Sequence, residues 1–302
     1  MFIKQIKNHS KTEFWRYIVG SLIIIGFSLM GQGPMFLAWI LMLGDKVGTK
    51  TQSELMQLYD SNITLVLIML SFVFALIGIF VTVKRLHKQT VKVIVTARNK
   101  IDWSRFAFAF VLFGAFVVIS TCTSYYSDPE SYEWNFKLVP FVILVIFSLF
   151  LIPIQTGVEE LVFRGYLMQG FAKLANNRLF ALLMTSLIFG GLHIANPEVQ
   201  ELGYITMVYY IATGLFLGII TLMDDGIELA MGFHAANNLF TALLVTADWT
   251  ALQTHSVLKD ISEPSVGIEI LVPVLVVFPI LLFIFSKRYK WSNWDQKLLG
   301  AC

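Results

Sequence analysis

The chain has 302 residues, of which 57% are hydrophobic and only 14% are charged, and its mean hydropathy is +0.72. Soluble domains carry about 25% charged residues, so the surplus of apolar side chains here must face lipid rather than one water-soluble core. These values exclude a disordered chain, a coiled coil and a disulfide scaffold, and the net charge of +2 gives no reason to expect a nucleic-acid partner.

Apolar stretches of about 20 residues, the length at which a helix spans a membrane, recur along the chain. With approximate ends they cover 15–43, 63–83, 106–123, a fourth stretch from 138, then 179–195, 204–223, 229–245 and 266–285. We therefore predict an all-α, polytopic membrane bundle of about eight transmembrane helices. The predicted segments are N-terminal helices at 1–136, a core at 137–250, and a last helix with a basic tail at 251–302. Pro153 and Gly157 leave open whether the fourth stretch is one kinked helix or two.

The distribution of basic residues predicts the orientation. A short leader with Lys4, Lys7, Lys11 and Arg16 precedes the first stretch, which is too long for a signal-peptide core and is predicted to be retained. Basic residues also fill the loop at 84–105 and the tail at 287–297, whereas the loops at 45–62 and 124–137 are mixed or acidic. Because positive loops stay cytoplasmic, we predict a protein of the bacterial plasma membrane whose two termini and 84–105 loop lie on the cytoplasmic side. We also predict that this loop contacts anionic lipid.

Three polar clusters interrupt the apolar stretches, and the first runs from Thr156 to Gly165. A charge at mid-membrane costs at least about 2.5–3.5 kcal/mol, so each charge needs a partner or water. Glu160 and Arg164 are four residues apart with the acid first, which predicts a neutralising pair on one helix face. Glu159 points about 100° away from that pair and lacks a partner. An unpaired acid in this setting predicts a functional group.

The second and third clusters each place a histidine within an apolar helix. His193 follows Phe189 by four residues at the end of the fifth stretch. His234 and Asn238 are also four residues apart and share a helix face. The remaining histidines lie in polar segments and are predicted at the surface: His9, His87 and His255.

Two predicted hairpins bring these clusters near one another. The turn at 175–178 joins two helices that should pack antiparallel. Glu159 and His193 each lie about 17 residues from this turn, hence about 26 Å from it at about 1.5 Å per residue. A second turn at 224–226 leads into the helix that carries His234 and Asn238. The sequence allows the four side chains to converge but does not require it.

A glutamate and two histidines can hydrolyse a peptide bond. A glutamate beside a histidine can hold a water molecule, remove its proton and return that proton to the leaving amine. A second histidine and an amide can donate hydrogen bonds to an oxyanion. Glu159, His193 and His234 are also a zinc-binding set with one position left for water, so the residues leave open whether the water is free or bound to Zn²⁺. HExxH and GxSxG motifs are absent from the sequence.

The three motifs in this order resemble those of the CPBP family, the CAAX protease and bacteriocin-processing group that is also called Abi. They are Glu159-Glu160-x-x-x-Arg164, Phe189-x-x-x-His193 and His234-x-x-x-Asn238. The resemblance covers about residues 140–245 and implies an intramembrane endopeptidase. Eukaryotic members trim prenylated C-termini, and bacterial members take part in bacteriocin maturation, self-immunity and peptide-signal processing, so the implied substrate is a membrane-associated peptide or protein.

The resemblance also implies a role for each motif residue. Glu159 and His193 would activate the water. His234 and Asn238 would complete the site as oxyanion donors, and His234 would instead be a metal ligand if Zn²⁺ is used. The side chains that would support them are Glu160, Arg164 and Phe189.

Two other function classes stay open on the sequence. One is a non-enzymatic bacteriocin self-immunity or scaffold protein that keeps the same fold. The other is an ion-coupled transporter, because intramembrane glutamate and histidine also mark ion pathways. The chain shows no inverted repeat of the kind that many transporters have.

Overall fold

Helices dominate the structure, a computed structural model that describes residues 2, 3, 5, 11–265, 267 and 270–302. In chain order they are α1 (Phe14–Leu43), α2 (Gln52–Met56), α3 (Ser61–Val81), α4 (Lys92–Val95), α5 (Trp103–Ser127), α6 (Leu138–Glu160), α7 (Met168–Ala175), α8 (Arg178–Leu192), α9 (Pro197–Leu202), α10 (Thr206–Asp224), α11 (Glu228–Leu244), α12 (Phe278–Tyr289) and α13 (Trp294–Leu298). Lys4, Lys7, His9 and Val266, for which the sequence makes predictions, lie outside the described residues.

Short irregular elements extend or connect these helices. π-Helical turns cover Thr82–Leu86, Leu161–Leu167 and Pro273–Val277, and 3₁₀ turns cover Gly44–Thr49, Pro129–Ser131 and His193–Ala195. A small sheet is formed by β1 (Tyr132–Trp134), β2 (Val245–Thr246) and β3 (Leu258–Asp260). The central strand is β3, antiparallel to β1 and parallel to β2.

Six helical stretches of the described chain are long and apolar enough to cross a membrane. They are Phe14–Thr49, Ser61–Leu86, Trp103–Ser127, Leu138–Ala175, Arg178–Ala195 and Thr206–Asp224. The predicted all-α, polytopic membrane bundle is thereby confirmed, and these stretches correspond to the first six predicted ones. The predicted division into three segments stays a prediction, and helices from different segments pack together, as α3 does against α6 and α5 against α11.

The predicted count of eight spans is not confirmed, and α11 shows why a helix in the bundle need not look like a span. This helix has only 17 residues and is enclosed by α5, α6 and α10. Because its surroundings are protein rather than lipid, it can carry polar side chains. Gly232 permits the close packing, since a Cβ there would lie 2.2 Å from the carbonyl oxygen of Phe106 in α5. The last predicted span forms the turn Pro273–Val277 and α12, which are not among the six.

The fourth span is one continuous helical stretch of 38 residues, Leu138–Ala175. Pro153 lies within α6, and the helix continues through the π-helical turn Leu161–Leu167 into α7. The stretch ends at Asn176, which has a left-handed conformation with φ 48°. Asn177 then begins α8 by accepting a hydrogen bond from the Phe180 amide at 2.9 Å. The predicted turn is therefore present, and α7 packs against α8.

Buried ion pairs anchor the loop end of the bundle. Arg98 Nη2 lies 2.7 Å from Asp224 Oδ2, and Arg98 Nη1 lies 3.1 Å from Glu228 Oε2. Arg105 donates to the other Asp224 oxygen. We call Arg98, Arg105, Asp224 and Glu228 the anchoring network. Two arginines of the 84–105 loop therefore bind carboxylates of the protein, whereas the sequence predicts lipid contact for this loop.

Both ends of the described chain reach the same turn at 224–226. The Phe2 amide donates to Asp225 Oδ1 at 2.8 Å, and Lys297 Nζ lies 2.8 Å from Asp225 Oδ2. The N-terminal residues, the tail and the 84–105 loop thus lie at one end of the bundle. Their placement in the cytoplasm stays a prediction.

His87, predicted at the surface, is buried with 3% of its area exposed. Its Nδ1 donates to the Lys11 carbonyl at 2.9 Å, and its Nε2 lies 2.9 Å from the Tyr166 hydroxyl. The polar sequence around His87 misled the prediction because α1 and the turn that contains Tyr166 cover this segment. His255 is partly exposed, and its Nε2 lies 2.8 Å from Asp60 Oδ2.

Candidate active site

The three motifs meet where the end of α6 faces α11. Glu160 is their central group, with no exposed side-chain surface. Its Oε1 accepts from Arg164 Nη1 at 3.0 Å and from His234 Nδ1 at 2.8 Å. The first contact is the local pair expected from the four-residue spacing. The second joins residues that are 74 positions apart in the chain.

Arg164 is fully buried and is held by two more groups. Its Nη2 donates to the Gly214 carbonyl of α10 at 3.3 Å. Its guanidinium carbon lies 4.3 Å from the centre of the Phe189 ring, a cation–π contact. Phe189 thus supports the charge pair from α8, as the motif resemblance implies.

Glu159 lies beside this pair and keeps one oxygen without a hydrogen bond. Its Oε1 accepts from Gln155 Nε2 at 2.6 Å. Its Oε2 lies 3.5 Å from His234 Nε2 and is a buried atom without a hydrogen-bond partner among the described residues. The side chain as a whole is 14% exposed, whereas Oε2 itself is buried and faces the interior of the site.

Gln155 is a site residue that the sequence analysis missed. Its Nε2 binds Glu159, and its Oε1 accepts from Asn238 Nδ2 at 3.0 Å. Asn237 in turn donates to Asn238 Oδ1 at 2.9 Å. The available signal was a second polar residue one helical turn before Glu159 in an otherwise apolar stretch. We call Gln155, Glu159, Glu160, Arg164, His234 and Asn238 the site network.

His193 lies at the border of this network rather than inside it. Its Nδ1 donates to the Phe189 carbonyl at 2.7 Å, and its ring stacks on Tyr210 with centres 4.3 Å apart. The Phe189 ring lies between the two imidazoles, 4.8 Å from His193 and 6.1 Å from His234, centre to centre. No ion pair joins His193 to Glu159 in the described structure, so the structure brings together Glu159, His234 and Asn238 and leaves His193 one ring away.

The donors do not fit a zinc ion as they are arranged. Across the described residues, no group of three histidine, cysteine, aspartate or glutamate side chains is placed to hold a metal. Nδ1 of His234 is bound by Glu160 and Nδ1 of His193 by the Phe189 carbonyl, so each ring would offer Nε2 to a metal, and the misfit lies in the spacing of the groups. The predicted use of Zn²⁺ stays untested, and no step proposed below passes through a metal.

Comparison with known proteins bears directly on this region. Residues 138–240 match the family model described as type II CAAX prenyl endopeptidase Rce1-like, a range that includes every residue of the three motifs. The chain is also 29% identical over 246 residues to the uncharacterized protein YyaK of Bacillus subtilis (strain 168). The aligned residues make up 81% of this chain and 82% of that protein. No solved structure matches. The match thus supports the predicted resemblance of the segment at 138–240, with its three motifs, to the CPBP family of CAAX-type intramembrane proteases.

Proposed function

We propose that this protein is an intramembrane endopeptidase in which Glu159 removes a proton from the attacking water. The observation that carries this proposal is the contrast between the two oxygens of Glu159. Oε1 is held by Gln155, whereas Oε2 is buried without a hydrogen-bond partner among the described residues. A carboxylate held by one oxygen and free at the other is oriented to accept a proton from water.

His193 is the proposed second contact of the water. Because its Nδ1 proton is bound by the Phe189 carbonyl, the neutral ring presents Nε2 as an acceptor. A water contact at Nε2 of His193 agrees with the family resemblance, which implies that Glu159 and His193 both act on the water. Closer approach of His193 on substrate binding is consistent with its position at the edge of the bundle, in the 3₁₀ turn after α8.

His234 and Asn238 are the proposed oxyanion donors. Nδ1 of His234 is bound by Glu160 at 2.8 Å, and its Nε2 lies 3.5 Å from Glu159 Oε2. An N–H at Nε2 would be the donor nearest to Glu159, where negative charge develops on the attacked carbonyl oxygen.

The proposed reaction follows from these positions. The water oxygen bonds to the peptide carbonyl carbon while its proton passes to Glu159. The oxyanion accepts hydrogen bonds from His234 and Asn238. Glu159 then returns the proton to the amide nitrogen as the C–N bond breaks, which releases a carboxylate and an amine.

A reconstituted assay tests the proposal. The full-length protein in liposomes is given a farnesylated peptide that ends in a CAAX box, and mass spectrometry follows release of the C-terminal tripeptide. We expect release by the wild type and none by Glu159→Gln. Thr156→Val is the matched control, because the Thr156 hydroxyl is buried in the same helix turn and bonds to the helix carbonyl of Ile152 at 3.0 Å.

Three results would contradict the proposal. The first is full activity in Glu159→Gln. The second is a wild-type protein that cleaves neither this peptide nor an unprenylated transmembrane peptide. The third is loss of activity with a chelator and recovery with Zn²⁺, which would replace the metal-free mechanism.

An inert protein would direct attention to the alternative functions. If it still conferred bacteriocin immunity, the result would favour an immunity protein, and if it moved ions in a Glu159-dependent manner, the result would favour a transporter.

We further propose that the loop end of the bundle faces the cytoplasm. The arginine and lysine residues of the 84–105 loop and the tail lie at this end, together with the turn at 224–226. A green fluorescent protein fused to the C-terminus should fluoresce, and alkaline phosphatase at the same position should be inactive. The reverse pattern would invert the topology.

A further inference from the structure

An open groove lies at the loop end of the span Ser61–Leu86. Its volume is about 670 Å³. The lining residues come from the last turn of the span and the segment that follows: Phe80, Lys84, Arg85, Lys88, Gln89, Thr90 and Val91. This groove is separate from the site network.

The groove carries three positive charges and no negative one. Lys84, Arg85 and Lys88 are exposed, and none of them forms an ion pair with a carboxylate in the described part of the chain. The sequence contains no acidic residue between Asp60 and Asp102. The groove is therefore a concentrated positive surface that lacks an internal counter-charge.

The rest of the same loop behaves differently. Arg98 and Arg105 are neutralised by Asp224 and Glu228 in the anchoring network. Five of the seven basic residues of the 84–105 loop thus fall into a structural pair, Arg98 and Arg105, and a group of three at the groove that has no carboxylate partner among the described residues. If the basic residues served only to set the membrane topology, there would be no need for some to be paired with carboxylates and others not.

A fourth positive charge approaches the groove from the chain segment before α1. The Lys88 ammonium lowers the pKa of Lys11, first as a hydrogen-bond partner and then by charge repulsion. The charge of Glu13 opposes this effect but contributes least, so Lys11 and Lys88 are like-charged neighbours that a bound anion would stabilise.

The height of the groove in the membrane indicates the kind of anion. Phe80 is 40% exposed on the last apolar turn, and Lys84 Nζ lies 5.6 Å from the centre of its ring. Aromatic rings and the stems of lysines occupy the membrane interface, with the charged groups at the level of the lipid headgroups. A positive φ of 53° at Lys88 turns the chain here, so that His87 is buried while Lys88 stays at the groove.

We propose that this groove binds the phosphate headgroup of an anionic phospholipid, with Lys84, Arg85 and Lys88 around the phosphate and Phe80 against the acyl chains. Gln89 and Thr90 supply further polar groups at the groove wall. The inference stands apart from the proposed protease chemistry.

Lipid titration of the purified full-length protein, followed by native mass spectrometry, tests the site. The probes are phosphatidylglycerol, phosphatidylcholine and inorganic phosphate. The test variant is Lys84→Gln/Lys88→Gln, and the control is Lys287→Gln/Lys290→Gln. The control pair is closely matched, because Lys287 Nζ lies 5.5 Å from the Phe283 ring centre and Lys290 has a φ of 51°, close to that of Lys88. Both pairs are exposed and lie at the ends of apolar helices.

Wild type should bind phosphatidylglycerol more tightly than phosphatidylcholine. The affinity of the test variant for phosphatidylglycerol should fall about 25-fold, from about five-fold for each cation removed. The control variant should bind as the wild type does, and both variants should keep the wild-type thermal unfolding. Equal losses in the two variants, or equal binding of the two lipids, would overturn the proposal. Inorganic phosphate that binds to the groove as tightly as the lipid would overturn the choice of lipid as ligand.

Discussion

The site network and the anchoring network both bury charged groups, but they differ in how completely the charges are paired. In the anchoring network the side chains of Asp224 and Glu228 are 1% exposed, and neither has a buried oxygen without a hydrogen bond among the described residues. In the site network, buried atoms of Glu159, Glu160 and Arg164 lack hydrogen-bond partners in the described structure.

This difference separates a structural role from a chemical one. A buried polar atom without a partner is costly, so a folded protein keeps one where another molecule completes it. The anchoring network is complete without a ligand and holds the turn at 224–226 to the 84–105 loop. The site network is incomplete at the oxygen where the proposed water would bind.

The largest expected effect breaks activity without breaking the fold. Glu159→Gln should lower the rate of peptide release by about 10²- to 10⁴-fold, the usual contribution of a general base. Its thermal unfolding in detergent should be unchanged, because Oε2 has no hydrogen bond to lose and the amide keeps an oxygen for Gln155. A clear loss of thermal stability in this variant would place Glu159 with the structural charges.

The converse substitution, Asp224→Asn, should break the fold more than the chemistry. It removes one counter-charge from each of two arginines and should cost about 3 kcal/mol, the lower end for a buried pair, since Arg98 keeps Glu228, Arg105 keeps Asp102, and both arginines keep some contact with solvent. Chemical unfolding in detergent measures this, with the exposed Asp45→Asn as control. Wild-type stability together with lost peptide release would reverse the roles of the two networks.

A smaller effect should follow from Gln155→Leu. The change keeps the approximate size of the side chain but removes its hydrogen bonds to Glu159 and Asn238. Supporting residues of this kind typically contribute about 10- to 100-fold. We expect kcat to fall with little change in KM, because Gln155 orients Glu159 and does not bind substrate. A rise in KM with an unchanged kcat would instead assign Gln155 to the substrate pocket.

The smallest expected effect concerns His87, a buried group whose hydrogen bonds are satisfied as those of the anchoring network are. Burial lowers the pKa of His87 below 6.5 and outweighs the opposing hydrogen bond to the Lys11 carbonyl. As the pH falls below 6.5, the unfolded chain therefore binds this proton before the folded protein does. The stability associated with neutral His87 is complete above that pH and decreases below it, by at most about 1.4 kcal/mol per pH unit.

His87→Gln should remove this part of the pH dependence and leave peptide release at neutral pH unaltered. Unfolding of the wild type and the variant between neutral and mildly acidic pH is the measurement, and His255→Gln is the control, because His255 is partly exposed. Identical pH profiles for wild type and His87→Gln would show that burial of His87 does not affect stability.

Features that depend on neighbours in the chain were predictable from the sequence. Hydropathy identified a membrane bundle, and helical spacing paired Glu160 with Arg164, because residues four apart share a helix face. Asn176 and Asn177 marked the turn between α7 and α8 through their conformational and capping preferences. The order of the three motifs indicated a resemblance to the CPBP family, which the match at 138–240 supports.

Contacts between distant segments depended on the packing of the helices. Glu160 meets His234 across 74 positions and Gln155 meets Asn238 across 83, and these contacts need α11 to lie deep between α5, α6 and α10. That depth depends on steric fit at places such as Gly232, where the absence of a side chain lets two backbones approach. Periodicity specifies which face of a helix is polar, but only the fit of one helix surface against another specifies which polar faces meet.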